Sequence, residues 1–212
     1  METYTFPHFH PESNTVHLAL FHSVSNAQPL LSQIINAASL PTGHPDQIKV
    51  DFAFIDAGMV VSREQVLNAV LQSMVWKERG EEGAIGAGSG GLKTKTIHSE
   101  VIWNLFPGRN ISSSLREVGL SPKTTSLLLV HICSSSNPQP SEILSRMTNL
   151  VQGTLDVSGL SSLEHRADAG EGSAGTNWKE LTKLYKIDES VDNEERRRAV
   201  VESATAIKNV AG

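Results

Sequence analysis

The sequence predicts an α/β (α+β) domain in which a small mixed β-sheet is packed by helices, with a helical C-terminal third. Three observations carry that expectation. Short apolar runs, Val16–Phe21 and Leu127–Ile132 among them, interleave with segments of helical periodicity. The length, 212 residues, allows one sizeable core and is short for two. Hydrophobic residues at 39% and charged residues at 19% suit a folded chain, and 5% aromatics leaves the core to aliphatic side chains.

Residues 1–15 hold Pro7, His8, His10 and Pro11 without a sustained period and read as a loose N-terminal arm. They offer no apolar run of the kind a secretory signal needs. Val16–Phe21 reads as a strand, and Leu30, Leu31, Ile34, Ile35 and Ala38 follow at helical spacing. A loop through Pro41, Gly43 and Pro45 leads to a second strand, Phe52–Ile55. Ser62 and Gln65 form a capping-box pattern that opens a helix carrying Val66, Leu67, Val70, Leu71 and Met74. Glu100–Leu105 reads as a short helix ended by Pro107-Gly108. Asn110 can cap a helix with Ile111, Leu115 and Val118 on its inner face and Gly119 as its terminator. Leu127–Ile132 is a continuous apolar run, the pattern of a strand covered on both faces. Helices are then expected over Ser141–Gln152, Trp178–Lys186 and Asn193–Val210, the last capped by Asp192. Glycine-rich windows at about 77–92 and 165–177 have no apolar period and read as insertions in this single domain.

The chemistry-bearing motifs are weak. Gly86-Ala87-Gly88-Ser89-Gly90-Gly91-Leu92-Lys93-Thr94 resembles a phosphate loop, but its lysine comes one residue late and Lys77-Glu78-Arg79 stands where a buried strand is required. Ser89 is not in a nucleophile elbow, because position 87 is alanine. The eight histidines show no i, i+4 pair with a neighbouring glutamate, so no metal is expected. His131 reads as a satisfied strand-end residue and Cys133, the single cysteine, as an inert one. The sequence therefore predicts a non-enzyme with no cofactor. A small enzyme using His98 or His131 with the glycine loop on a phosphate is the alternative from another class, beside a generic scaffold without RNA contact.

Charge is more informative. The formal net charge is −5, which argues against broad nucleic-acid binding. Residues 92–132 nevertheless hold Lys93, Lys95, Arg109, Arg116 and Lys123 against Glu100 and Glu117, a local excess of basic groups. Asn104, Arg109 and Asn110 are expected to converge there on one tight turn. In the last helix Val200, Ala204, Ile207 and Ala211 make one stripe behind Arg196-Arg197-Arg198, which suits either the protein's own sheet or a docked partner.

The block Leu92-Lys93-Thr94-Lys95-Thr96-Ile97-His98-Ser99-Glu100-Val101-Ile102-Trp103-Asn104-Leu105, followed by Pro107-Gly108-Arg109-Asn110-Ile111-Ser112, Leu115, Gly119-Leu120 and the strand Ser126–Ile132, resembles the kinase-binding subunit of the KEOPS/EKC complex, the PRPK-binding protein (TPRKB-like) family. Phe106 departs from it, standing before the proline where members often have a small residue. The resemblance implies a non-catalytic subunit of the machinery that makes threonylcarbamoyladenosine next to the tRNA anticodon. It implies a grip on a small atypical kinase/ATPase through the C-terminal helix, at Val200, Ala204 and Ile207, and indirect contact with the other subunits. It further implies recruitment of tRNA by its single-stranded 3′ end at Lys95, Asn104, Arg109 and Asn110. A nuclear and cytoplasmic location, no membrane, and the telomere maintenance attributed to the complex go with that resemblance.

Overall fold

The computed structural model describes residues 1–81, 91–136, 138–163, 175–188 and 190–208. Five strands, β1 (Glu2–Thr5), β2 (Thr15–His22), β3 (Ala53–Asp56), β4 (Leu127–Cys133) and β5 (Thr154–Leu155), form one sheet in the order β1-β2-β4-β3, with β5 pairing the end of β2. Every pairing among the described residues is antiparallel, which corrects the expected mixed sheet: β4 runs opposite to both of its neighbours, β2 and β3. The helices are α1 (Ala27–Ala38), α2 (Pro45–Lys49), α3 (Arg63–Glu81), α4 (Ile97–Leu105), α5 (Ile111–Glu117), α6 (Pro140–Leu150), α7 (Trp178–Tyr185) and α8 (Glu194–Ile207). No helix among the described residues is long and apolar enough to cross a membrane.

The central strands set the architecture. β4 is buried at all seven positions, and its side chains alternate between two apolar layers. Leu128, Val130 and Ile132 face one layer with Val16, Leu18 and Leu20 of β2; α3 supplies Val66, Val70 and Met74 to it, α4 Val101 and Leu105, and α8 Val201. Leu127 and Leu129 face the other with Ala19 and Phe21, against Leu30 of α1 and Ile143 and Met147 of α6. The expected α/β architecture is thus a sheet with helices on both faces, and the continuous apolar run of β4 is the consequence.

Several local expectations are revised. The N-terminal arm is not loose throughout: residues 2–5 pair with β2 from Glu2↔Leu18 to Thr5↔Thr15. Glu2 holds it further, accepting from Leu160 N–H at 2.7 Å and pairing with Arg63 at 3.3 Å. The loop after α1 contains α2, whose N-terminus His44 caps through Nδ1. α3 runs through Glu81, so residues 77–81 are helix, and Asn177 caps α7. Residues 82–90 and 165–174 of the expected insertions lie outside the described residues. The Ser62 hydroxyl does accept from Gln65 N–H, but the reciprocal bond goes to Val61 N–H rather than to Ser62. Asn193, not Asp192, caps α8.

Candidate functional site

The central block folds as α4, a turn at residues 106–110, and α5. Thr96 and Ser99 cap α4 reciprocally, and a nearly continuous burial of residues 98 and 100–105 makes it an interior helix. Its polar side chains therefore need internal partners. Asn104 is 1% exposed; its amide donates to Ser73 Oγ at 2.9 Å and to Ala69 O at 3.4 Å on α3. The expectation that Asn104 joins a ligand-facing turn is thereby corrected, because its hydrogen bonds are spent fastening α4 to α3. Glu100, wholly buried, accepts from Thr94 N–H and Thr94 Oγ1 at 2.8 Å each.

The turn itself presents Arg109 and Asn110, both exposed. Asn110 Oδ1 accepts from Ser113 N–H at 2.8 Å and caps α5, which leaves the amide hydrogens of Asn110 for another acceptor. Phe106 explains the glycine two residues on: a Cβ at Gly108 would lie 2.5 Å from the Phe106 ring. Lys95 is exposed, but it sits before the N-terminus of α4 and Arg109 beyond its C-terminus. Nine residues of helix separate them, about 14 Å. The two groups therefore stand at opposite ends of α4 rather than around one pocket. Lys93 and Arg79 lie 5.2 and 5.1 Å from the centroid of Trp76 on α3. Arg116, by contrast, pairs with Glu117 at 2.9 Å.

Trp103 is 7% exposed and its indole N–H reaches Arg109 O at 3.4 Å, so core packing claims it and stacking on a free base does not. Lys208, one residue past α8, covers its ring at 3.5 Å and donates to the carbonyls of Trp103 and, at 2.7 Å, Phe106. Burial holds the Lys208 ammonium down to about 7; Glu100 works against that shift and Arg109 with it.

Along α8 two stripes diverge. Val201 and Thr205 are buried against the body of the protein, and Gln72 of α3 donates to Thr205 O at 2.7 Å. Tyr185 donates to Leu105 O at 2.5 Å and lies 3.5 Å from Thr205 Oγ1, tying α7 and α8 to α4. Val200 is 39% and Ile207 55% exposed, with Ala204 half-buried between them. α5 reverses its expected polarity: Val118 is buried, while Ile111 and Leu115 face solvent at 39% and 43%.

Two side-chain clusters escape sequence reasoning because long stretches of chain separate their members. In the first, His98 Nδ1 lies 2.8 Å from Asp51 Oδ1, and His98 Nε2 accepts from Ile132 N–H at 2.9 Å. His131 Nδ1 donates to Asp51 O at 2.8 Å and its ring stacks on His98 with centroids 5.2 Å apart. One ligand atom from each of Asp51, His98 and His131 lies within 4.8 Å of the others, a spacing that resembles a metal site. The polarity differs, however: Ile132 N–H makes Nε2 the acceptor, so Nδ1 carries the hydrogen that Asp51 accepts and has no lone pair for a cation. Burial pushes His131 down to about 3, and the carboxyl of Asp51 sits below its usual range because hydrogen bonding from His98 and nearby positive charge outweigh its burial.

In the second cluster, His22 Nε2 lies 2.9 Å from Asp156 Oδ2 and His22 Nδ1 3.2 Å from Ser126 Oγ. The order resembles a hydrolase relay, yet Ser126 is only 4% exposed and closed to a substrate; the trio joins β2, β4 and β5. Burial raises the Cys133 thiol to about 11, which leaves it protonated.

The family model for kinase binding protein CGI-121 matches residues 21–209. The EKC/KEOPS complex subunit CGI121 of Cryptococcus neoformans is 31% identical over 241 aligned positions, covering 99% of this chain and all of that one. The subunit cgi121 of Schizosaccharomyces pombe is 29% identical over 180, covering 85% and 86%, and that of Neurospora crassa 28% over 222, covering 95% and 93%. This chain therefore belongs to the kinase binding protein CGI-121 family.

Proposed function

We propose that this chain is a non-catalytic subunit of a KEOPS/EKC complex that holds the small atypical kinase/ATPase through α8. It also helps bring tRNA, by its single-stranded 3′ end, to threonylcarbamoyladenosine modification next to the anticodon. The observation that carries the kinase half is the division of α8. Its Val201 and Thr205 stripe is satisfied by the protein's own core, so the Val200, Ala204 and Ile207 stripe is left for a partner. Sequence alone left that stripe open between core and interface.

Lys95, Arg109 and Asn110 support the RNA half. They are exposed donors on a basic block of an otherwise acidic chain, and their spread along α4 suits a backbone track better than a point phosphate. The burial of His98, His131, Cys133 and Ser126 supports a role without chemistry of its own. Work in nucleus and cytoplasm, indirect contact with the other subunits, and any part in telomere maintenance belong to the same proposal.

Ile207→Glu tests the kinase half: the variant should keep its circular-dichroism spectrum and lose the kinase in a pull-down. Retained binding by a folded variant refutes it. Lys95→Glu with Arg109→Glu tests the RNA half by gel shift at matched salt, and unchanged affinity refutes it.

A further inference from the structure

Lys208 has a place that neither the kinase surface nor the RNA surface requires. It follows Ile207, the last residue of α8, and its backbone is tied to the helix only by Lys208 N–H to Thr205 O at 3.4 Å. Its side chain leaves the helix altogether. It crosses the Trp103 ring and ends on the carbonyls of Trp103, in the last turn of α4, and of Phe106, the residue that follows the helix. Trp103 O already accepts Phe106 N–H at 3.2 Å and takes the ammonium on its second lone pair, and a cation at this end of α4 also favours the helix dipole. Trp103 then passes the constraint on, through its indole N–H, to the carbonyl of Arg109. One side chain thus joins the end of the exposed α8 stripe to the backbone that sets Arg109 and Asn110.

We propose that Lys208 is a positioning residue that couples partner docking on α8 to the placement of Arg109 and Asn110, so that occupancy of the helix tightens the turn. The inference rests on the kinase-docking reading of α8. Two states are involved. In one, the last turn of α8 is wound, Ile207 is presented and the ammonium sits on both carbonyls. In the other, that turn is frayed and both carbonyls lose the ammonium. Helix ends open at low cost compared with a core, so both states are within thermal reach. A partner that covers Ile207 binds the wound state, which shifts the population toward a held turn, and by linkage a ligand on the held turn strengthens docking. Gln72, which donates to Thr205 O and Ala206 O, anchors the same last turn from α3, and Tyr185, which donates to Leu105 O and lies 3.5 Å from Thr205 Oγ1, ties α8 to the end of α4; Lys208 is the contact that reaches the carbonyl of Phe106 in the turn.

The position of the ammonium is consistent with a contact of adjustable strength. Glu100 and Arg109 are the charged groups that act on it, with opposite sign, and burial brings its titration to about 7.

Hydrogen exchange on the full chain tests the coupling without RNA. The probes are the amides of Phe106, which donates to Trp103 O at 3.2 Å, of Ser113, to Asn110 Oδ1 at 2.8 Å, and of Ser114, to Asn110 O at 3.0 Å. Saturating kinase subunit should slow their exchange about 5-fold or more in the wild type, the low end of typical coupling. In Lys208→Met, which keeps the stem over Trp103 and removes the donors, the kinase should still bind and the slowing should vanish. Kinase binding with unchanged exchange at 106–114 in the wild type overturns the coupling and leaves the docking reading intact. Equal slowing in Lys208→Met overturns Lys208 as the route. Absence of kinase binding to the wild type overturns the docking reading and the coupling with it. Should Lys208→Met fail to fold, the wild-type comparison with and without kinase still decides whether the two faces are coupled.

Discussion

Replacing His131 by Asn should make the fold more tolerant of mild acid, by an amount that follows from where His131 sits. The ring is 4% exposed, packed between His98 and Phe52 with centroids 5.2 and 5.0 Å away, and its Nδ1–H is committed to Asp51 O. Burial is the largest reason that its protonation falls from an ordinary 6.5 to about 3; the neighbouring His98 and Arg146 push the same way, and Asp51 only partly opposes them. In the unfolded chain the same imidazole binds a proton near 6.5, so between about 3 and 6.5 the unfolded state holds a proton that the folded state refuses. Stability must then fall as the pH drops below 6.5. Moving from pH 7 to pH 5 takes the unfolded imidazole about 1.5 pH units below its titration point, and at about 1.4 kcal/mol per unit the loss is about 2 kcal/mol. Because pH 5 lies well above the folded value, the figure hardly depends on whether that value is 3 or 4.

His131→Asn keeps a donor near the position of Nδ1 and cannot charge. The assay is urea unfolding of both proteins at pH 7 and pH 5. The wild type should lose about 2 kcal/mol more than the variant, a midpoint difference of about 1 M for a urea slope of about 2 kcal/mol per M. His17, also lowered by burial, destabilises both proteins with the same sign and cancels in the comparison. Asp51 titrates below this window, since its carboxyl is held under 3.8. Equal losses in the two proteins would refute the view that a buried, neutral His131 is part of the folded state.

Asn104→Ala should cost about 1–3 kcal/mol of stability by removing the donor to Ser73 Oγ and Ala69 O inside the core, while RNA affinity of the folded variant stays unchanged; a gel-shift loss without a stability loss would restore Asn104 to the ligand set. Lys95→Glu with Arg109→Glu should weaken tRNA binding and flatten its salt dependence, measured as the slope of log affinity against log salt. For Lys208 the sign is the same as for His131, because burial lowers both, but the window is more alkaline. Between about 7 and 10.5 the unfolded chain keeps a proton that the folded state has released, so stability should rise with pH there, and Lys208→Met should flatten the rise in a series of thermal melts.

The sequence reading succeeded where pattern and burial coincide. β4 announces itself because every side chain is apolar and every side chain is buried, and α3 because its apolar residues repeat at helical spacing toward one layer. β1 stayed hidden because Glu2-Thr3-Tyr4-Thr5 has no apolar face of its own; pairing with β2 and the anchoring of Glu2 make it a strand. α2 was hidden by a Pro-Asp start that reads equally well as a loop. For the site, the sequence located Arg109 and Asn110 at a turn but misplaced Asn104, since helical spacing says which residues share a face and not whether that face is inward. The same ambiguity inverted α5, where Ile111 and Leu115 make a correct stripe on the solvent side. The Asp51, His98 and His131 cluster and the reach of Lys208 to Trp103 depend on three-dimensional return of the chain, which no local pattern encodes.

On the docking proposed for it, α8 is a helix of weak apolar character with two faces to satisfy. Its inward contacts are a single wholly buried aliphatic side chain, Val201, and a set of hydrogen bonds through Thr205, Gln72 and Lys208. Hydrogen bonds fix position while adding little net stability, roughly 1 kcal/mol each, so the helix is oriented firmly without consuming its second apolar stripe. That stripe is then available at little folding cost. On the proposed docking, covering the exposed half of Ile207 and part of Val200 would contribute about 1–3 kcal/mol to association, enough to make them anchors of a small interface. A glutamate at 207 would forfeit that burial and add the desolvation of a carboxylate, so the expected loss in kinase affinity is about 10-fold or more. On the proposed docking, substitutions would separate by residue: Val201 and Thr205 should answer to the fold, Val200 and Ile207 to the partner, and Lys208, which reaches the turn after α4, to both.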